Sequence, residues 1–133
     1  MGEIKIVTPN LAESSKHSYG VIGPDKTPVV VLPGDPIGNY LSAELFIRPM
    51  IIKMLTGFIS DRKSKKVKLS KALTSETGKA QFLRGFLNED GQVSALADQD
   101  SLITLSMANC LIEINEKSQK LSAGDQVNIL MIN

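Results

Sequence analysis

A continuous apolar run, Pro28-Val-Val-Val-Leu-Pro33, limits the possible folds more than any other segment of this sequence. The run is rich in β-branched residues and shows no alternation with polar ones. Such a pattern is typical of a strand buried on both faces, the usual state of a parallel strand in an α/β sheet. We therefore expect the first part of the chain to be the corner of an α/β domain.

A tight turn and a helix are predicted directly after this run. Asp35 is a suitable helix N-cap, and Pro36 falls at the first helical position, where a missing N–H is tolerated. Apolar residues at helical spacing continue to Thr56, and Gly57 is a suitable terminating residue. Pro49 lies inside this pattern and predicts a kink, because it cannot donate a helical hydrogen bond.

Beyond residue 57 the spacing of apolar residues becomes alternating. Short alternating segments recur roughly every ten residues, separated by turn-forming sequences such as Asn88-Glu-Asp-Gly91. A short helix is predicted over Ser101–Ala108, capped by Asp100 or Ser101. This pattern favours a small β barrel or sandwich.

The predicted fold class is therefore mixed. Residues 1–57 are expected to form an N-terminal α/β fragment, with a parallel-type strand and a kinked helix. Residues 58–133 are expected to form a small all-β, barrel-like domain. Ahead of the apolar run, Gly2–Val7 is predicted as a short alternating segment and Pro9–His17 as a polar loop.

Charge and cysteine content exclude several classes of protein. Fifteen basic and fourteen acidic residues give a net charge of +1, so no overall field favours nucleic acid or an acidic membrane. Cys110 and His17 are single, which excludes an internal disulfide and a zinc site of Cys and His ligands. Neither a secretory signal nor a membrane span is apparent, so we expect a cytoplasmic protein.

Three features of the sequence could bind an anion. Leu32-Pro-Gly-Asp-Pro36 ends at a helix N-terminus, which favours anions; the alternative is a simple turn and cap, since Asp35 already places a carboxylate there. Arg84 lies within a predicted strand and could bind an oxyanion or lie on the solvated face. Thr104 and Ser106 could present hydroxyl groups to an oxyanion or serve as helix caps.

A run of basic residues raises the separate possibility of RNA binding. No aromatic residue is interleaved for base stacking, so a solvated linker and strand face is the favoured interpretation. The run consists of Arg62, Lys63, Lys65, Lys66, Lys68 and Lys71.

Three segments, in order, carry a resemblance to a known family. Residues 28–57 are similar to its strand, turn and helix, written roughly LPGNPVSA…ELFVRPALRKLAG. Gly78-Lys-Ala-Gln-Phe-Leu-Arg-Gly85 is similar to GR-x-x-F-x-R-G, and Ser101 through Ile112 is similar to a segment ending in ANGLI. This third segment is followed by Ala123-Gly-Asp-Gln-Val127, which resembles the family's AGE-x-V. The chain thus resembles the C-terminal portion of the MoeA/gephyrin family, the molybdopterin molybdotransferases.

This resemblance implies a parent enzyme that inserts molybdate into adenylylated molybdopterin in a Mg²⁺-dependent step and releases AMP. It also implies a homodimer, with other proteins of cofactor biosynthesis as further partners and neither membrane nor nucleic acid among them. By motif position, Arg84 is similar to the family's oxyanion-binding arginine, and Thr104 falls on its hydroxyl donor. An alignment from Gln99 instead assigns that hydroxyl to Ser101 or Ser106.

The turn Pro33, Gly34, Asp35 and Pro36 matches the family's substrate-binding turn, with departures. Asp35 stands where Asn is usual and Gly38 where Ser is usual, while the family's lysine-bearing segment is not recognisable in Ile6–Leu11. An added carboxylate and lost donors should weaken anion binding, and the Gly-rich, Asp-bearing part of the catalytic domain is missing. We expect no turnover by this polypeptide alone. The alternative function is a non-catalytic scaffold or binding module of the same family.

Overall fold

The computed structural model describes residues 18–60, 62–75, 78–118 and 120–132. Contacts divide the described residues into two units, with the division after Ser60. The segments predicted at Gly2–Val7 and Pro9–His17 lie outside the described residues. Within the described ranges, no helix has the length and apolar character needed to cross a bilayer.

The first unit joins a β hairpin to an interrupted helix. Its antiparallel strands pair in a register from Ser18 opposite Val31 to Ile22 opposite Thr27. Its elements are β1 (Ser18–Ile22), β2 (Thr27–Val31), α1 (Pro36–Ser42), a π-helical turn (Ala43–Ile47) and α2 (Arg48–Thr56).

The apolar run forms a strand as predicted, but the parallel-type interpretation of its pairing is wrong. The chain reverses across residues 23–26, where Gly23 and Lys26 have φ values of 78° and 52° and the Lys26 N–H donates to the Gly23 carbonyl at 3.1 Å. So short a connection permits only antiparallel pairing, because a parallel pair needs a crossover of about a dozen residues. Val31 is 52% exposed, so the strand is not buried on both faces within the described unit.

The helix begins, ends and is interrupted where the sequence predicts. Asp35 caps α1, and Gly57 ends α2 in the left-handed conformation at φ 77°. Pro49 has no N–H to donate, so the regular hydrogen bond cannot form there. The Arg48 N–H reaches back five residues to the Ala43 carbonyl, which places the irregularity in a π-helical turn immediately before the proline.

Among the described residues of the second unit, five strands close into a barrel in the order β3, β6, β5, β7 and β9. The β3–β6 pair is parallel and the other pairs are antiparallel. This barrel, preceded by the strand and helix, confirms the predicted fold class. The elements are β3 (Ser64–Leu69), β4 (Leu73–Thr74), β5 (Gln81–Leu87), β6 (Gln92–Ala95), α3 (Leu102–Met107), β7 (Cys110–Ile114), β8 (Lys120–Leu121) and β9 (Gln126–Met131).

The alternation of side chains along β5 decides what fills the barrel and what lies outside it. Leu83 and Leu87 pack against the buried core, and Gly85 shares their face. A Cβ on Gly85 would lie 2.7 Å from Cγ1 of Ile112, so this position has no room for a side chain. Arg84 consequently points to the outer face of the barrel. The buried core consists of Leu69, Val93, Cys110, Ile112, Ile114, Val127 and Ile129.

Candidate functional site

Arg84 is buried although it lies on the outer face of the barrel. Its side chain is 1% exposed, as is common for a core residue and rare for an arginine. Leu111, its register partner on β7, shares that face and is 0% exposed. Residues 96–101, which we call the covering segment, hydrogen-bond to Arg84 and precede helix α3, which packs against β5. Of the two alternatives for Arg84, a position on a solvated strand face is therefore wrong.

Gln99 of the covering segment is bonded to Arg84 at both backbone and side chain. The Arg84 N–H donates to Gln99 Oε1 at 2.7 Å, and Gln99 Nε2 donates to the Arg84 carbonyl at 3.0 Å. The guanidinium Nη2 of Arg84 donates to the Gln99 carbonyl. Because these bonds join β5 to the covering segment, they fix the position of Arg84 relative to that segment.

The three candidate hydroxyl groups are in different hydrogen-bonding states. Thr104 is buried and donates from Oγ1 to the Ala97 carbonyl at 2.9 Å, while Ser106 is exposed and donates to the Ile103 carbonyl at 2.7 Å. Ser101 caps α3 by accepting the Ile103 N–H at 3.1 Å. In these described hydrogen bonds Ser101 acts only as an acceptor, so its proton can be donated to a ligand.

The turn of the first unit is stabilised by a hydrogen bond to the carboxylate of its own Asp35. Asp35 Oδ1 accepts the Gly38 N–H at 2.6 Å, which uses one of the donors that a phosphate would need at the helix start. Pro33 is buried and Pro36 occupies the first helical turn. Apart from the adjacent Pro33 and Asp35, no described residue has an atom within 4 Å of a Cβ built on Gly34, so a ligand can approach the backbone there.

Neither a metal centre nor a reactive thiol is found among the described residues. They contain no group of three or more His, Cys, Asp or Glu side chains that could hold a metal ion. Burial raises the pKa of the Cys110 thiol to about 11, against a weaker opposing effect of a backbone hydrogen bond with Leu87. Cys110 is thus a core residue, since only a thiolate is an effective nucleophile.

The basic run contributes to a groove of mixed charge on the outer face of β3, β9 and β7. Lys66 pairs with Asn128, and Asn128 pairs with Glu113, so the three lie side by side across the strands. A carboxylate at this position opposes a nucleic-acid backbone, which favours the solvated strand face over an RNA surface. The groove has a volume of about 550 Å³ and is lined by Arg62, Ser64, Lys65, Lys66, Glu113, Asn128 and Leu130.

Two side-chain amides near Arg84 were not predicted as parts of the site. Gln99 bridges the backbone of Arg84, and Asn109 bridges that of Leu87 in the same way, at 2.8 and 3.0 Å. Each side-chain amide thus forms with one residue of β5 the two hydrogen bonds that the backbone of a neighbouring strand would otherwise form. The sequence signal was weak, because amides at turns and loop ends usually bond to neighbouring residues.

Comparison with known proteins identifies the fold. The family described as MoeA C-terminal region (domain IV) matches residues 66–132. The chain is 27% identical over 142 residues to molybdopterin molybdenumtransferase 1 of Mycobacterium tuberculosis, an alignment covering 99% of this chain and 33% of the relative. It is 36% identical over 107 residues to molybdopterin molybdenumtransferase 2 of that organism, covering 77% and 26%.

Solved structures agree on the fold. A molybdopterin biosynthesis MoeA protein from Pyrococcus horikoshii has a TM-score of 0.79 at 22% identity, covering 99% of this chain and 32% of the other. A molybdenum cofactor biosynthesis protein from Pyrococcus furiosus has a TM-score of 0.73 at 16% identity, covering 96% and 46%. At these identities the likeness shows the fold alone.

The barrel and the matched residues define a MoeA C-terminal region. The chain therefore belongs to the MoeA family of molybdenum cofactor biosynthesis, which confirms the family predicted from the three sequence segments. It spans about a third of the length of the first curated relative, 33% by alignment. Because both curated relatives are named as transferases, the comparisons do not favour a non-catalytic scaffold.

Proposed function

We propose that this chain supplies the oxyanion-binding barrel of an enzyme that inserts molybdate into adenylylated molybdopterin and releases AMP. The observation that supports it most is Arg84, an arginine of 1% exposure that hydrogen bonds fix beneath the covering segment. The names of the curated relatives support the reaction class, molybdenum transfer to molybdopterin.

The chemistry of Arg84 suits a doubly charged oxyanion. A guanidinium is planar, permanently charged and weakly hydrated, and it donates parallel hydrogen bonds to two oxygens of one anion. Such bonds are stronger away from water, where the effective dielectric constant is lower. Nη2 already donates to the Gln99 carbonyl, so molybdate would accept from other N–H groups of the guanidinium while that bond stays in place.

Ser101 is the hydroxyl donor that we assign to this site. It lies two positions from Gln99 in the covering segment, and its oxygen accepts the Ile103 N–H while its proton can turn toward a ligand. Thr104 and Ser106, by contrast, donate to backbone carbonyls. Those two hydroxyls must break an existing bond before they can donate to molybdate.

The turn Pro33, Gly34, Asp35 and Pro36 is proposed as a second substrate contact, made by molybdopterin. Molybdopterin would approach at Gly34, where the described residues beyond Pro33 and Asp35 place no atom within 4 Å of the Cβ position. The Asp35 carboxylate already accepts a helical N–H, so the turn favours a neutral or hydrogen-donating group over a bare phosphate.

Mg²⁺ is expected in the parent enzyme, but the described residues do not fit a Mg²⁺ site of their own. No group of three or more suitable side chains is present among them, and Mg²⁺ sites usually need one or two carboxylates together with substrate phosphates. We therefore assign no step to the metal within this chain.

Homodimerisation of the parent is likewise proposed, and sedimentation velocity would test it.

A chimera tests the proposed function. The C-terminal third of molybdopterin molybdenumtransferase 1 is replaced by this chain, and molybdate-dependent AMP release from adenylylated molybdopterin is measured with Mg²⁺ present. We expect the chimera to release AMP and the chain alone to release none. The Arg84→Ala substitution should remove most of the AMP release by the chimera, while Arg62→Ala, the matched arginine control, should leave it unchanged. A folded chimera that is inactive, or whose activity is the same with Arg84→Ala, contradicts the proposal.

A further inference from the structure

Gln99 holds Arg84 at two separate places. Its side-chain amide exchanges two hydrogen bonds with the Arg84 backbone, at 2.7 and 3.0 Å. Its own carbonyl accepts a bond from the guanidinium of Arg84. A single residue thereby fixes both the strand from which the arginine extends and the charged group at its end.

The same amide fixes the covering segment. Gln99 Nε2 donates to the Leu96 carbonyl at 2.6 Å, and the Leu96 N–H donates to the Arg84 carbonyl at 2.9 Å. Asp98, between these residues, has φ 53°, a conformation that residues other than glycine adopt infrequently. Such a conformation persists where surrounding contacts hold it, and Gln99 supplies those contacts.

We propose that Gln99 is the positioning residue that sets the orientation of the Arg84 guanidinium for an incoming oxyanion. The inference rests on the proposed function, in which Arg84 binds molybdate. An arginine has several rotatable bonds, and ordering it during binding costs free energy. When Gln99 already orders the guanidinium in the folded protein, the free-energy cost of ordering it arises during folding. Binding then no longer includes that cost, so the ligand binds more tightly.

Asn109 provides a matched control for this role. Its amide also exchanges two hydrogen bonds with one residue of β5, but that residue is Leu87. Replacing either amide removes two backbone bridges from the same strand. Only the replacement of Gln99 also loosens the covering segment, whose backbone carbonyl at position 99 accepts a bond from the guanidinium, so a difference between the two variants reports on positioning and not on general damage to β5.

The test is calorimetric titration of molybdate into the full chain and into the variants Gln99→Met and Asn109→Ala. Methionine keeps the approximate size of glutamine but cannot form the amide bonds. We expect about two- to tenfold weaker binding with Gln99→Met and unchanged binding with Asn109→Ala. The ¹H–¹⁵N signal of the Arg84 guanidinium should broaden or shift only in the Gln99 variant.

A second variant keeps the test decisive if Gln99→Met does not fold. Gln99→Glu retains the acceptor for the Arg84 N–H but replaces the donor with a carboxylate oxygen that the Arg84 and Leu96 carbonyls repel, so binding should weaken at least as much. Equal affinity of the wild type and the Gln99 variants overturns the inference and leaves the proposed function standing. Equal weakening by the Gln99 and Asn109 variants overturns it too. No binding to the wild-type chain overturns both proposals.

Discussion

The carboxylate of Asp35 fills the space that a side chain at position 38 would need. A Cβ on Gly38 would lie 2.7 Å from Asp35 Oδ2 and 2.6 Å from Pro33 Cγ, while the Gly38 N–H donates to Asp35 Oδ1 at 2.6 Å. Asp35 and Gly38 are the two positions at which the turn departs from the MoeA/gephyrin pattern. They are sterically coupled, so their effect on substrate must be judged jointly.

Substitutions at these two positions should therefore be non-additive. Gly38→Ala should destabilise the chain by roughly 1–3 kcal/mol through overpacking, and Asp35→Ala by about 1 kcal/mol through loss of the N-cap. The double variant should cost less than the sum, because removing the carboxylate frees space for the new methyl group. Urea unfolding followed by helical circular dichroism measures all three, and simple additivity would contradict the coupling.

Gly85→Ala should destabilise the barrel. The added Cβ would lie 2.7 and 2.9 Å from two atoms of Ile112, which is 0% exposed and has little room to shift. We expect a loss of roughly 1–3 kcal/mol in the free energy of unfolding. Gly34→Ala serves as control, since in the described part of the chain only the adjacent residues come within 4 Å of its Cβ. Equal effects of the two substitutions would show that the packing account of Gly85 is wrong.

Stability should depend on the Cys110 thiol at high pH. Burial raises its pKa from 9.0 to about 11 on folding, so the unfolded chain releases this proton first. The stabilisation is present below pH 9 and is lost as the pH rises toward 11, by roughly 2 kcal/mol. The free energy of unfolding, measured between pH 8 and 11, should therefore decrease more steeply for the wild type than for Cys110→Ala. Equal slopes of the free energy of unfolding against pH for the two proteins would show that the Cys110 thiol does not contribute.

Two of the hydroxyl candidates, Ser101 and Ser106, should differ in their effect on molybdate affinity. Ser101→Ala should weaken binding and also cost about 1 kcal/mol of stability through the lost cap. Ser106→Ala should leave affinity unchanged, because its hydroxyl is bonded to the Ile103 carbonyl on an exposed face. Calorimetry on each variant measures the difference. Loss of affinity with Ser106→Ala and none with Ser101→Ala would reverse the assignment.

Local chemistry was sufficient to predict much of this fold. The cap at Asp35, the terminating Gly57 and the capping Ser101 each act within a few residues of their own position, so their neighbours in the sequence reveal them. The alternation along β5 likewise predicted a strand, and the strand is present. These elements were predicted because the forces that form them are local.

The remaining features depend on contacts between distant segments. Antiparallel pairing of β2 follows from a hairpin whose first strand, Ser18–Ile22, contains a glycine and lacks clear alternation. The burial of Arg84 depends on Gln99, fifteen positions away, and on a loop whose path the sequence did not reveal. The parallel contact of β3 with β6 is equally non-local. Periodicity describes one segment at a time and cannot report such pairings.

Titration of molybdate and tungstate, separately, into this chain and its Arg84 variants tests the central claim most directly. We expect binding to the wild type and to Arg62→Ala, with roughly 10- to 100-fold weaker binding to Arg84→Ala, because charge-assisted hydrogen bonds are lost. Arg84→Lys should recover only part of the affinity, since lysine lacks the planar fork. Equal binding by the wild type and a folded Arg84→Ala variant, or none by the wild type, would contradict an oxyanion site at Arg84.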